Sequence, residues 1–266
     1  MHKNADINSA SKEFELAKPF RHIIIDDFLD DFVVKRIFDE FPKLSSELWV
    51  VGHNKNQPIK YAKDNPFEKK MVAISDKEKF PKHHKQLFEY FDSTVFLNFL
   101  KKLTGIKDLQ IDETGRHAGI RGMLNESYQH VHSDAVIHPQ TGLRKRLSVI
   151  LYLNKFWDEN MGGCLEIWDD NMTKCVHKIL PKYNRLVIFE CTEKSYHGVP
   201  EPIKIQSKDG MRKSLIFSYM SQPTKNNSGR KRAKFVARPC DSKSEEIERL
   251  RKERACVNQE NEHRFM

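Results

Sequence analysis

The sequence has no hydrophobic stretch long enough to cross a membrane, and it has few cysteines. Its apolar runs, such as LSVILYL at 147–153, have the length of a β-strand rather than the roughly 20 residues of a membrane span. The first twenty residues contain no apolar segment of the kind found in secretory signals. The five cysteines form no CxxC pair, which argues against a zinc site or a disulfide framework. We therefore expect a cytoplasmic protein with reduced thiols.

The net charge of +9 is distributed unevenly along the chain. Residues 222–266 contain 12 Lys and Arg against 7 Asp and Glu, so more than half of the excess lies in the last 45 residues. Such a segment is either a solvated tail or a segment that attracts an anionic partner, such as an acidic sugar, a lipid-linked sugar, a peptide or a membrane surface. The basic residues are not interleaved with aromatic ones, which argues against nucleic acid as the partner.

Residues 1–107 predict a helical support region that also contains a long loop. Apolar residues recur at helical spacing in DDFVVKRIFDEFP (30–42), and again in HKQLFEYFDSTVFLNFLKKLTG (84–105), which we predict to be one helix. Residues 50–80 are polar and lack periodicity, so they predict a loop, and long loops often carry function. This loop and its flank form a candidate substrate lid with four notable side chains: Trp49, His53, Lys60 and Tyr61.

Residues 108–221 change to the pattern of a β-domain. Short segments rich in β-branched and aromatic residues, such as RLSVILYLN and NRLVIFEC, are bounded by Gly, Asn, Asp or Pro. Many strands without intervening helices predict a sandwich or barrel, here mainly β with flanking N-terminal helices. Residues 222–266 predict a basic linker and a polar C-terminal helix that begins at a capping box of Ser242 and Glu245.

The segment QHVHSDAVIHP at 129–139 contains three histidines and one aspartate. His132 and Asp134 alternate, so on a strand both side chains lie on one face and can reach one ion. His197, in the strand-like segment SYHGVPEP, is the candidate third ligand. Two imidazoles and one carboxylate are the ligand set of non-haem Fe(II) oxygenases. His130 shares the same face, so alternation alone does not exclude it as a metal ligand. Strand twist turns its side chain away from the other two, so we interpret it as a neighbour of the ligands or as a residue that faces the substrate.

A candidate carboxylate-binding pair follows in the last strand pattern. Arg212 and Ser214 alternate in RKS and so lie on one face. A guanidinium beside a hydroxyl is suited to a bidentate grip on a small carboxylate inside a barrel. His138 precedes Pro139 beyond the strand, and we expect it in a loop near the mouth of the site. Cys164 and Cys191 are interpreted as small barrel residues.

These motifs together resemble the Fe(II)- and 2-oxoglutarate-dependent dioxygenases, in their prolyl-4-hydroxylase-like branch. The similar run covers about residues 118–221 and reads HSD…RLSVILYLNKFW…GGCLEIWD…SYHGVPEP…RKSLIFSYM. The resemblance implies a double-stranded β-helix, the jelly-roll or cupin-like fold, buttressed by the N-terminal helices. It implies iron(II) and 2-oxoglutarate with O2, and ascorbate as an optional addition. The implied residues are the iron ligands His132, Asp134 and His197, and the 2-oxoglutarate residues Arg212, Ser214 and Tyr152.

The resemblance further implies hydroxylation of an unactivated C–H bond. Related halogenases have a small residue where this chain has Asp134, so the carboxylate favours hydroxylation. The expected substrate is peptidyl or free proline, or a sugar such as an acidic lipopolysaccharide sugar. Two alternatives stay open, an oxidative nucleic-acid demethylase and a jelly-roll binding module that has lost its chemistry. The complete ligand and carboxylate-binding sets argue against the second alternative.

Overall fold

The computed structural model describes residues 6–51, 66–207, 210–223 and 229–256. Five helices lie in this part of the chain: α1 (Ile7–Leu16), α2 (Asp31–Asp39), α3 (Lys82–Phe91), α4 (Thr94–Thr104) and α5 (Glu245–Cys256). The strands before the predicted β-domain are β1 (His22–Ile25), β2 (Val50–Val51) and β3 (Glu68–Ile74). Those that follow are β4 (Gln110–Ile111), β5 (Gly119–Ser133), β6 (Arg144–Tyr152), β7 (Leu165–Trp168), β8 (Cys175–Ile179), β9 (Arg185–Glu190), β10 (His197–Val199), β11 (Arg212–Ser221) and β12 (Lys234–Phe235).

The strands form one curled antiparallel sheet in the order β1-β9-β6-β11-β5-β10-β7-β8. The long strand β5 joins its two halves, because its first half pairs with β11 and its second half pairs with β10. On the other side, β5 pairs with β3 along most of its length and with β12 at its end. A mainly β fold of this kind, with helices against one face, is the predicted architecture.

The N-terminal helices cover one face of this sheet with an apolar core. Side chains of α1 to α4 pack with those of the larger half of the sheet, which is formed by β1, β9, β6, β11 and the first half of β5. Examples are Phe88 and Phe91 of α3 with Leu215 and Phe217 of β11. The Phe91 and Phe217 rings stack with their centroids 4.0 Å apart. Burial of large aromatic and aliphatic side chains is the main stabilising contribution in such a layer.

Strand β5 is interrupted midway by a bulge. Met123 of β5 is opposite Met71 of β3, and Tyr128 of β5 is opposite Lys69 of β3. Between these two pairs β5 advances by five residues while β3 advances by only two. Glu126 within this bulge has a positive φ of 64°. The bulge is fixed from both sides, because the Ser127 hydroxyl donates to the Lys70 carbonyl and the Glu126 amide donates to the Ile203 carbonyl. The strand therefore continues past the bulge in a defined register.

Several boundaries differ from the predictions. The segment 84–105 is two helices rather than one, because Ser93 accepts a hydrogen bond from the Phe96 amide and caps a new helix. The predicted loop at 50–80 contributes β2 and β3, and the helix α1 was not predicted. The last helix begins at Ser244 rather than Ser242, since the Ser244 hydroxyl accepts from the Ile247 amide.

The C-terminal residues 229–256, here called the C-terminal arm, pack on the domain rather than extending into solvent. Strand β12 pairs with the end of β5, and Arg251 of α5 is buried, with 6% of its surface exposed. The interpretation of this segment as a solvated tail is therefore wrong for residues 229–256. None of the described helices is both long and apolar enough to cross a membrane.

Candidate metal centre

The ends of β5 and β10 bring the two predicted histidine ligands together. His132 and His197 are direct register partners, and their ring centroids are 4.6 Å apart. Asp134 follows β5 by one residue, and its Oδ1 lies 3.6 Å from Nε2 of His132. One ligand atom from each of these three residues lies within 4.8 Å of the others. Residues separated by 63 positions in the sequence thus form one compact cluster that could hold a metal ion.

Backbone carbonyls orient both imidazoles. Nδ1 of His132 lies 3.0 Å from the His130 carbonyl oxygen, and Nδ1 of His197 lies 2.8 Å from the Ser195 carbonyl oxygen. A carbonyl can only accept, so each Nδ1 carries the proton and each Nε2 presents its lone pair, as metal-binding histidines do. Burial, and then the neighbouring His132, lower the pKa of His197 to about 4, so this ring is neutral at neutral pH.

A buried lysine holds the free oxygen of Asp134. Nζ of Lys145 donates to Oδ2 of Asp134 at 2.7 Å, and the Ser148 hydroxyl donates to the same oxygen at 3.2 Å. The Cys191 thiol lies against this oxygen too, at 3.8 Å. Burial alone would raise the pKa of Asp134, but the charge of the adjacent Lys145 outweighs it and holds that pKa well below its ordinary value. The carboxylate is therefore ionised, with Oδ1 left to face the histidines.

The predicted carboxylate-binding residues lie together on neighbouring strands. Ser214 of β11 is the register partner of Tyr152 of β6, and Nη2 of Arg212 donates to the Tyr152 hydroxyl at 3.2 Å. The Arg212 guanidinium also donates through Nε to the Gly163 carbonyl at 2.7 Å. All three side chains are nearly inaccessible, with 4% of Arg212, 2% of Ser214 and none of Tyr152 exposed.

Arg212 has no acidic partner within the part of the chain that the structure describes; its other contacts are the Met123 sulfur and the Tyr152 ring. A buried guanidinium without a carboxylate is costly unless a ligand supplies one. Gly163, with a φ of 70°, keeps the approach open, since a Cβ there would lie 3.2 Å from the Arg212 side chain. The residues present therefore fit a small dicarboxylate as well as a metal ion.

One strand face connects the two clusters. Along β6, Ser148, Ile150 and Tyr152 alternate and point into the barrel; Ser148 contacts Asp134 and Tyr152 contacts Arg212. On β9 the Phe189 ring packs against both Phe20 and His197, with its centroid 4.6 Å from that of His197. The metal cluster and the carboxylate-binding cluster thus share one barrel interior.

Sequence reasoning missed several residues that contact the predicted ligands. Lys145 is one of many basic residues in the sequence, although its position near the start of the strand that carries Ser148 on its inner face is a usable signal. Cys191, interpreted as a small barrel residue, is buried against Asp134, and burial raises its pKa to about 12, so it stays a thiol. Arg230, which bonds to Ser133 and Asp134, lies 96 residues beyond that aspartate and had no sequence signal.

Other predicted residues lie elsewhere. The His130 ring turns towards Phe67 and Tyr128, with centroids 5.9 and 5.3 Å away, and only its carbonyl contacts His132. His138 lies in the loop after β5, as predicted, but its ring is buried, with Nε2 3.0 Å from the Thr114 hydroxyl.

The candidate lid is described only in part. Trp49 is a core residue, 7% exposed and packed near Phe41, so its assignment to a substrate lid is wrong. His53, Lys60 and Tyr61 lie outside the described residues.

Residues 119–221 match the family described as the 2OG-Fe(II) oxygenase superfamily. The matched residues make up less than half of the chain, and this segment is similar to the superfamily. The match spans β5 to β11 and contains the His132, Asp134 and His197 cluster together with Arg212 and Ser214. Iron(II) and 2-oxoglutarate, the predicted cofactor and co-substrate, are the pair that gives the superfamily its name.

The chain is also similar to prolyl 3-hydroxylase OGFOD1 of Mus musculus, to which it is 36% identical over 61 residues. That stretch is 21% of this chain and 11% of the mouse protein, so the chain matches a small part of that relative's length.

Solved structures share the fold at low identity. HygX from Streptomyces hygroscopicus, solved with nickel and 2-oxoglutarate bound, is 8% identical with a TM-score of 0.50, covering 79% of this chain and 86% of HygX. The non-haem α-ketoglutarate dependent epimerase SnoN from nogalamycin biosynthesis is 10% identical with a TM-score of 0.50, covering 90% and 96%. These similarities confirm the predicted jelly-roll fold.

Proposed function

We propose that this oxygenase is a hydroxylase in which His132, Asp134 and His197 hold iron(II) while Arg212, Ser214 and Tyr152 hold the far carboxylate of 2-oxoglutarate. The observation that carries the proposal is the buried Arg212 without an acidic partner in the described chain, in the same barrel interior as a three-residue metal cluster. A single-metal site alone fits many reactions, but a separate receptor for a carboxylate selects this one.

The residues of the clamp act by charge and geometry. The planar guanidinium of Arg212 can bond both oxygens of one carboxylate, and it is held in place by Gly163 and Tyr152. Burial raises the pKa of Tyr152 despite the nearby Arg212, so its hydroxyl stays protonated and can donate to the ligand. Ser214, opposite Tyr152 across the strand pair, supplies a further hydroxyl.

The iron, when bound, supplies the oxidising chemistry with O2 and 2-oxoglutarate. The protein's own contribution is to fix the ligand atoms and to exclude water. The His130 and Ser195 carbonyls fix both imidazoles, and Lys145 holds Asp134 by one oxygen. Phe189 and Ile150 line the interior with apolar surface, which limits the access of water to the reacting atoms.

The charges inside the barrel favour an anionic substrate group. Arg121, Lys145 and Arg212 are all buried, with 4%, 6% and 4% exposed. Lys145 is paired with Asp134 and Arg212 is assigned to 2-oxoglutarate, which leaves the charge of Arg121 for the substrate. Arg121 is the register partner of Ser214 and so shares its face. Among the described residues, its guanidinium bonds only to the Ser75 hydroxyl and two backbone carbonyls, and its Nε has no partner there. An acidic sugar, or proline with its carboxylate, supplies the negative charge that this face lacks.

The proposal is tested by anaerobic reconstitution with iron(II), followed by 2-oxoglutarate and O2 and measurement of succinate. The wild type is expected to form succinate, and Asp134→Asn, which keeps the shape of the side chain, is expected to lose iron and turnover together. Mass spectrometry of lysate metabolites and proline-containing peptides then searches for a product 16 Da heavier. Succinate formation that survives in Asp134→Asn would contradict the iron site. The absence of succinate in the wild type would favour the binding-module alternative.

A further inference from the structure

The C-terminal arm, residues 229–256, lies directly against the end of β5, the strand that contains His132 and is followed at once by Asp134. In β12, Lys234 and Phe235 pair with Ser133 and His132. The Val236 amide extends this pairing by donating to the Val131 carbonyl at 2.9 Å. The Phe235 ring packs on the His132 ring with centroids 5.2 Å apart, and it stacks on Phe67 from the other side.

Arg230 is the arm residue that bonds to the backbone around Asp134. Its Nη2 donates to the Ser133 hydroxyl at 2.8 Å and to the Asp134 carbonyl at 3.3 Å. Its own carbonyl accepts from the amides of Val136 and Ile137, at 2.9 and 3.1 Å. The backbone on both sides of Asp134 is thus tied to a single residue of the arm.

The same arginine connects this backbone to the segment that leads into the third ligand. Nε of Arg230 donates to a carboxylate oxygen of Glu193 at 2.6 Å, and its Nη1 donates to the Arg232 carbonyl at 2.8 Å. Glu193 lies four residues before His197, in the turn that ends with the carbonyl orienting that histidine. Arg230 therefore spans the two chain segments whose separation sets the distance between Asp134 and His197.

We propose that Arg230 is a positioning residue for the metal centre, and that docking of the C-terminal arm and metal binding stabilise each other. The inference rests on the proposed iron site, because it assumes that the three-residue cluster holds a divalent metal ion. By thermodynamic linkage, an arm that improves metal affinity must itself be held more firmly when the metal is bound. Residues that orient metal ligands typically change metal affinity by about 10–100-fold when removed.

The first test measures the affinity of the full-length apoprotein for Mn(II) by electron paramagnetic resonance. Arg230→Ala is expected to weaken Mn(II) binding by about 10-fold, and Arg230→Lys, which keeps the charge but not the fork, should weaken it less. Glu193→Gln loosens the anchor of Arg230 and should weaken binding by a smaller factor. The matched control is Lys231→Ala, since Lys231 is a basic, exposed neighbour in the same arm.

The second test separates positioning from general stability. Thermal unfolding of the apoproteins is measured for each variant, and hydrogen exchange is followed in peptides covering 130–137 and 229–237 with and without Mn(II). In the wild type, Mn(II) is expected to slow exchange in the arm peptide as well as in the ligand peptide. In Arg230→Ala the protection of the arm peptide by Mn(II) should be lost. A purely structural role would lower apoprotein stability without changing this metal-dependent difference.

Three outcomes would overturn the inference. Equal Mn(II) affinity in Arg230→Ala and Lys231→Ala would show that Arg230 does not position the ligands. Arm exchange unaffected by Mn(II) in the wild type would disprove the linkage. If Arg230→Ala fails to fold, an unchanged Mn(II) affinity in Glu193→Gln would show instead that Arg230 does not position the ligands. Absence of Mn(II) binding in the wild type would instead refute the metal site itself, and with it the proposed function.

Discussion

The two faces of the larger half of the sheet differ in what their side chains do, although they alternate along the same strands. On the helix-facing side, Leu147, Val149 and Leu151 of β6 belong to one apolar core with the helices. On the inner side of the same strand, Ser148 contacts a metal-ligand candidate and Tyr152 contacts a buried arginine. One face is uniform and apolar, and the other combines charge, hydroxyl groups and a few apolar side chains.

The difference shows how the fold can keep uncompensated charge in its interior. Arg121 and Arg212 destabilise the ligand-free protein, because each is buried without a carboxylate in the described chain. The helix-facing core offsets this cost through stacked aromatic rings such as Phe91 on Phe217. Stability and chemistry are therefore assigned to opposite faces, and substitutions on each face should have separable effects.

The largest effect is expected at Asp134, because this residue contributes both to the proposed metal site and to the stability of the protein. Asp134→Ala removes a metal ligand and also leaves Lys145 buried without its partner, a loss of about 3–5 kcal/mol in the free energy of unfolding. Lys145→Met added to Asp134→Ala should restore most of that stability but no metal binding. Urea unfolding of the apoproteins and metal analysis give the two readouts. A double variant as unstable as the single one would contradict the assigned role of Lys145.

A core substitution on the helix-facing side should lower the stability of the protein without changing the binding of 2-oxoglutarate. Phe217→Ala is expected to lower the free energy of unfolding by about 3–5 kcal/mol, because its ring packs on both Phe88 and Phe91. The KM for 2-oxoglutarate should not change in the protein that remains folded. Its neighbour on the inner face provides the control, since Ser218→Ala removes one hydrogen bond, to the His117 carbonyl, and should lower stability by only about 1 kcal/mol. A raised KM in Phe217→Ala would show that the faces are coupled.

Arg212→Met should affect the co-substrate and spare stability. We expect the KM for 2-oxoglutarate to rise by about 100-fold, since a buried charge partner of its carboxylate is lost. The free energy of unfolding of the ligand-free protein should not fall, because no ion pair is broken. Ser214→Ala should be milder, and Arg249→Met, at an exposed site on α5, serves as the control. Unchanged 2-oxoglutarate dependence would place the carboxylate receptor elsewhere, with Lys213 the next residue to replace.

The smallest effect concerns a polar exception in the helix-facing core. His84 is fully buried, neither ring nitrogen has a partner in the described part of the chain, and burial lowers its pKa to about 4. Its unfolded pKa is about 6.5, so between these values the unfolded state binds more protons and stability falls as the pH falls. At pH 5 the loss from this residue is about 2 kcal/mol. His84→Leu should reduce the stability difference between pH 7 and pH 5 by that amount, and an identical difference would contradict it.

The sequence predicted those parts of the molecule that depend on local pattern. Alternation placed His132 beside Asp134 and Arg212 beside Ser214, and apolar spacing identified α2 and most strands. The break at Ser93 was missed because the apolar stripe continues through it, whereas the decisive feature is one capping hydrogen bond.

Contacts that depend on distant pairing could not be predicted from one sequence. Lys145 reaches Asp134 only because β6 and the end of β5 meet in the barrel, and Arg230 does so only because the arm folds back. The roles of the six predicted site residues remain predictions until the variants are measured.

The bulge in β5 has a consequence for the permitted length of this strand. Before the bulge, the inward-pointing residues of β5 have odd residue numbers, as Arg121 and Met123 do, whereas after the bulge they have even numbers, as His132 does. The change occurs because the bulge gives β5 an odd number of extra residues relative to β3. Inserting or deleting one residue between Met123 and His132 would turn the histidine to the outer surface, even if every strand still paired. Homologous chains should therefore vary here by two residues or not at all, while their surface turns vary freely.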